Sequence, residues 1–169
     1  RSIYLGQISS RKRQDLAAHI PNTDFVGRGS MAHPNFLGEL PNSWKFNSLT
    51  EYANLLLFSE GENASPLVIK ESLMCGLGIV CSEAAGSELP RDLPGVTVLP
   101  LDFIEKNPQE VEKIVIENRK IAVANRPAIR EYALANWDWP SLIMEYEGNL
   151  LRMLGYEHKF TIGTQNEMR

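Results

Sequence analysis

Three short runs of this chain are apolar without alternation: Leu55-Leu56-Leu57-Phe58, Leu77-Gly78-Ile79-Val80-Cys81 and Val96-Thr97-Val98-Leu99. A strand that shows one face to water alternates with a period of two. Continuous runs therefore mark strands buried on both faces, as in a parallel sheet covered by helices. Helical patterns fall between the runs, and the alternation predicts an α/β, Rossmann-like parallel sheet with helices on both faces and a helical C-terminus. The predicted strands are 3–6, 24–27, 35–38, 54–58, 78–82 and 96–99; the predicted helices are 13–20, 66–75, 108–125, 128–136 and 141–154. Pro108 suits a first helical position, and Val111, Ile114, Val115 and Ile121 fall on one face of its helix. About eight residues separate the second and third strands, too few for a helical crossover.

With 169 residues, 43% of them hydrophobic, the chain is long enough for a core. Its net charge of −4 gives no field for nucleic acid or an anionic membrane. No apolar run approaches the ~20 residues of a membrane span. Cys75 and Cys81 cannot form a disulfide framework and read as small core residues of a protein in a reducing compartment. His19, His33 and His158 have no carboxylate or nucleophile at a catalytic spacing. Trp137-Asp138-Trp139 reads as packing at a helix break before Pro140, and the glycosylation pattern Asn63-Ala64-Ser65 as chance. A domain over 1–154 is followed by a polar tail, 155–169.

The chemistry concentrates in two loops that leave strands. In the first, 59–71, Ser65 is an N-cap candidate and Pro66 suits the first helical position. The N–H groups of Leu67 and Val68 then offer an anion site at the carboxyl end of the sheet. Glu71 follows in a stretch that reads as buried, so it needs a partner: an ion pair or hydrogen bond with a neighbouring loop, or the paired hydroxyls of a ribose. The second loop is the exit of the first strand, where Gly6 admits a ligand close to the backbone. There Arg11, Lys12 and Arg13 open a predicted helix, a placement the helix dipole disfavours unless an anion binds or the turn is simply solvated.

Together these segments resemble the C-terminal, donor-binding half of GT-B glycosyltransferases of the group 1 (family 4) retaining type. The resemblance is carried over about 3–154 by Leu5-Gly6 with Lys12 after it, Phe25-Val26-Gly27-Arg28-Gly29, Phe36-Leu37-Gly38-Glu39-Leu40, the strand 53–59, and Glu71-Ser72-Leu73-Met74-Cys75-Gly76 leading into a strand. It implies a nucleotide-diphosphate sugar, UDP- or GDP-linked, as donor and no required cofactor or metal. By position, Glu71 would hold ribose hydroxyls, Lys12 the diphosphate, and the backbone of Ala64, Ser65, Pro66 and Leu67 the sugar and phosphate. The loop at Gly38 and Glu39 would meet the base. Two positions depart from the pattern: Asn63 stands where the family has the glutamate that contacts the donor sugar, and Gln7 where it has an arginine, a charge that Arg11 or Arg13 could restore. Asn63 and Lys12 are the catalytic candidates, with Glu60 or Glu62 as substitutes if the loop shifts register.

The resemblance further implies that the chain is about half of a two-domain enzyme, with acceptor binding in an N-terminal domain and little turnover by this half alone. The acceptor would be a saccharide, a lipid or a protein. The full enzyme would be cytoplasmic, with peripheral membrane association left open. A catalytically degenerate binding module is the alternative; a GT-B epimerase would need an acid/base pair between two full domains.

Overall fold

In the computed structural model, residues 1–61 and 66–153 are described, apart from the side chains of Phe46, Trp139 and Ser141. The chain divides into two compact units, Arg1–Ala135 and Asn136–Arg169.

The first unit is built on five parallel strands, β1 (Ser2–Leu5), β2 (Thr23–Val26), β3 (Asn54–Leu57), β4 (Gly78–Ser82) and β5 (Val96–Leu99), in the order β2-β1-β3-β4-β5. Every residue of β3 and β4 is buried, as their unalternating sequences require. The β1-to-β2 and β3-to-β4 connections run outward in opposite directions from the centre. Right-handed crossovers therefore place them on opposite faces of the sheet. Tyr4 anchors the core of β1: its ring stacks on Phe25 at 6.0 Å and meets Phe58 edge-on at 6.2 Å. Its hydroxyl accepts the Phe58 amide at 2.8 Å and donates to the Lys12 carbonyl.

The helices are α1 (Asn42–Ser48), α2 (Leu67–Met74), α3 (Leu101–Lys106), α4 (Pro108–Ala124) and α5 (Arg126–Trp137), and α2 and α4 pack on the sheet. Neither α1 nor α3 is predicted from the sequence, because elements of seven and six residues are too short to show a period. On α4 the buried positions are Val111, Val115, Asn118 and Ala122, whereas Ile121 is 39% exposed. A polar residue thus takes the core place that hydrophobicity assigns to Ile121.

Two predicted elements take another form. In place of a helix over 13–20 there are two 3₁₀ turns, Ser10–Lys12 and Gln14–Ala17, split by Arg13 in the left-handed conformation (φ 51°, ψ 44°). Gln14 is buried, its side chain donating to the Gln7 carbonyl at 2.8 Å and accepting the Ser9 amide at 3.3 Å. It thereby offers the backbone an alternative to a helix. The predicted strand 35–38 makes only an isolated parallel bridge, Phe36 to Phe25, flanked by Pro34 and by Gly38 at φ 76°. No crossover helix is needed, because His33 ties the intervening loop down by bonding the Ala18 carbonyl and stacking edge-on against Phe25.

The second unit contains α6 (Trp139–Met153), on which Leu142, Tyr146, Leu150 and Met153 are exposed. Among the described residues no helix is long and apolar enough to cross a membrane.

Candidate functional site

The carboxyl ends of β1 and β2 open into a cleft of about 420 Å³. Leu5, Gly6, Gln7 and Lys12 wall it from the β1 side, Val26, Gly27 and Arg28 from β2, and Leu67, Val68 and Glu71 from α2. Glu39, Leu40, Asn42, Trp44 and Lys45 close the remaining side. The chain leaves β1 toward β2 and returns to β3 on the other side of β1. The cleft therefore lies where the strand order reverses, the place where open α/β sheets take their ligands.

Local geometry makes the opening. At the strand exits the two backbones pinch together: a Cβ on Gly27 would lie 1.8 Å from the Gly6 carbonyl oxygen, so only glycine fits there. The N-cap position of α2 is held by Pro66 in an extended conformation (ψ 129°) and Leu67 is the first helical residue, one position later than the sequence suggests. The first-turn amides of Leu67 and Val68 belong to the set that has no intrahelical acceptor, and both residues line the cleft.

Of the residues singled out in the sequence, Gly6, Lys12, Glu39, Leu67 and Glu71 come together here. Gly38 accepts the Gly27 amide at 2.9 Å behind the wall rather than in it. Asn63, Ala64 and Ser65, like Glu62, lie outside the described residues. The charges proposed to replace the missing arginine at Gln7 are engaged elsewhere. Arg11 donates to the Gly61 carbonyl at 2.7 Å, and Arg13 bonds the Glu60 and Glu105 carboxylates, each at 2.6 Å. Glu105 foremost, with Glu60 and Asp15, holds the Arg13 guanidinium above its ordinary pKa against the opposing effect of burial. Arg28 is the arginine that lines the cleft.

Glu71 is not buried among apolar neighbours: its side chain is 40% exposed and its two oxygens accept from Lys45 Nζ at 2.9 and 3.0 Å. The structural alternative of an ion pair is thus realised, on the cleft wall itself. Behind the pair lies a second, mostly apolar cavity of about 310 Å³, between Leu49, Met74, Cys75 and Arg130, so Lys45 and Glu71 stand between two hollows. Lys45 escapes a reading of the sequence because the pair joins residues 26 positions apart through an unforeseen helix. Trp44 on the same helix packs edge-on to Tyr52 at 6.3 Å. The thiols take no part: burial pushes Cys81 up to about 12 and raises Cys75 as well.

No known protein family model and no curated protein matches this sequence. Solved structures do match in fold. HepE from Anabaena, determined with UDP and glucose, superposes with a TM-score of 0.69 at 14% identity over 89% of this chain and 48% of its own. The sucrose-phosphate synthase of Thermosynechococcus elongatus gives 0.68 at 17% identity over 91% and 45%. TarM gives 0.67 at 14% identity over 87% and 34%. The chain thus has the fold of one domain of the GT-B glycosyltransferases. It spans half or less of the length of each of these three.

Proposed function

We propose that the cleft binds a nucleotide-diphosphate sugar and that the chain is the donor-binding domain of a glycosyltransferase of the retaining, group 1 type, whose acceptor is held by a separate domain. The observation that carries this reading is the convergence of Lys12, the first-turn amides of α2 and the Glu71 carboxylate on one cleft. A diphosphate needs a cation and aimed N–H groups, and a ribose diol needs a two-oxygen acceptor. The roles follow from the chemistry. Lys12 and the α2 amides stabilise charge on the departing diphosphate; Glu71 orients the nucleoside; Leu40 and Trp44 supply apolar surface for the base. Lys45 holds Glu71 aimed, and its ammonium retains a hydrogen for the ligand. UDP-glucose is the first donor to try, since HepE also forms a crystalline complex with it. Asn63 is the catalytic candidate in place of the missing glutamate, and the acceptor is a saccharide, lipid or protein. The full enzyme works in the cytoplasm.

The test is calorimetric titration with UDP-, GDP- and ADP-sugars. One nucleotide should bind, and Glu71→Ala and Lys12→Ala should each weaken it about tenfold or more, the usual scale for a lost charge-assisted hydrogen bond. Binding by none of them would sink the reading and favour a scaffold module that has kept the fold and lost the chemistry, to which Asn63 and Gln7 already point. Sugar transfer by this chain alone at ordinary rates would refute the need for a second domain.

A further inference from the structure

Three consecutive cations leave β1, yet only the middle one, Lys12, lines the cleft. The other two reach the loop between β3 and α2. The Arg11 carbonyl accepts the Glu60 amide at 3.0 Å, and its guanidinium donates to the Gly61 carbonyl through Nε at 2.7 Å and also through Nη2. Arg13 spans from Glu60 to Glu105 on α3, with Asp15 at 3.4 Å. Its left-handed backbone is strained for a residue other than glycine. Such strain persists only where the surroundings over-determine it, and here a side chain with three carboxylate partners does so. From below, Ser82 Oγ donates to the Ser59 carbonyl at 2.6 Å.

We propose that Arg11 and Arg13 are positioning residues that lock the start of the β3–α2 loop to the turn presenting Lys12. The cation and the α2 amides are then held at a set spacing before any ligand arrives. The proposal rests on the nucleotide-sugar reading of the cleft and departs from the simpler idea that these arginines bind the diphosphate. A pre-set spacing lowers the ordering cost of binding, and it matters most for the part of a ligand lying beyond the phosphates, along the loop. Arg13 is the stronger lock because it ties three segments of the chain together.

The experiment compares the unaltered chain with Arg13→Met, Arg13→Lys and Glu105→Gln, the last on α3 and outside the cleft. Amide exchange at Glu60 is followed alongside affinities for UDP and UDP-glucose. Arg13→Met should speed Glu60 exchange about tenfold, the effect of one lost charged hydrogen bond. It should weaken UDP-glucose about tenfold while UDP stays within about twofold, a split that a general loss of structure does not give. Arg13→Lys, which keeps the charge but loses the fork, should fall between, and Glu105→Gln should move both readouts the same way by less. Unchanged exchange, an equal loss for UDP and UDP-glucose, or a silent Glu105→Gln would each overturn the proposal. If Arg13→Met does not fold, Glu105→Gln and Arg13→Lys decide alone. If the unaltered chain binds neither ligand, the functional reading falls and the exchange data still decide whether the lock exists.

Discussion

The two ends of the sheet handle polar groups in opposite ways. At the amino ends of the strands, Ser2, Thr23 and Asn54 are fully buried and Asn118 nearly so, and they are satisfied within the protein. Asn54 donates to Asn118 at 3.2 Å; Asn118 donates to the Gly95 carbonyl and to Thr97, both at 3.0 Å. Ser2 bonds Asn54 and accepts from Arg119 at 2.8 Å, and burial lowers the pKa of that arginine. At the carboxyl ends Ser59 and Ser82 are buried beside β3 and β4, but around the cleft polar groups face an open volume, and the paired charges Lys45 and Glu71 are 24% and 40% exposed. A buried network in low dielectric specifies one arrangement and is costly to disturb, whereas a half-exposed pair contributes little to stability and is free to exchange partners. If the cleft takes a ligand as proposed, stability is lodged at the amino ends of the strands and ligand chemistry where β1 and β2 end.

Four measurements would break or sharpen this contrast. The largest effect should come from its exception, Gly27→Ala: forcing a Cβ to 1.8 Å from the Gly6 oxygen separates β1 from β2 and should cost about 3 kcal/mol or more in urea unfolding, with loss of the cleft. Asn118→Leu comes next. It removes the Asn118 bonds to Asn54, Gly95 and Thr97, leaving the Gly95 carbonyl with the Ile79 amide alone, and should cost about 1 to 3 kcal/mol while nucleotide affinity stays level; an affinity loss would show that the two ends are coupled. Glu71→Ala should do the reverse, changing stability by less than about 1 kcal/mol and affinity about tenfold. The last, absent at neutral pH, is a pH effect. Burial raises the Cys81 thiol from 9.0 to about 12, so the unfolded chain loses that proton first. Stability from this group is complete below pH 9 and should decline between pH 9 and about 12; removing it by Cys81→Ser should flatten that limb of the urea midpoint curve.

How much of this was readable in advance depended on whether the deciding interaction was local. β3, β4 and β5 were legible because burial on both faces writes itself into consecutive residues, and α4 because Pro108 marks its start. The turn at Arg13 was not, since a side chain 92 positions away, Glu105, holds it. Asn118 did not stand out, because its value to the core exists only once Asn54 is opposite it. In the site, Gly6, Lys12 and Glu71 were legible as types at strand exits and a helix start. Lys45 and Arg28 were not, nor were the bonds of Arg11 to Gly61 and of Arg13 to Glu60 and Glu105, because charge composition does not say which way a turn faces.

The strand order also bears on how the molecule folds. β1 comes first in the chain but lies in the interior of the sheet, joined to β3 by contacts such as Ser2 with Asn54, 52 positions apart. The β3–β4 and β4–β5 pairings close shorter loops, so they should form earlier, with the β1–β2 pair docking afterwards along the β1–β3 seam. The cleft straddles that seam, taking Gly6 and Lys12 from one side and Leu67 and Glu71 from the other. Ligand binding should therefore appear only with the final slow phase of refolding; a partly folded form that already bound nucleotide would show that the seam closes first.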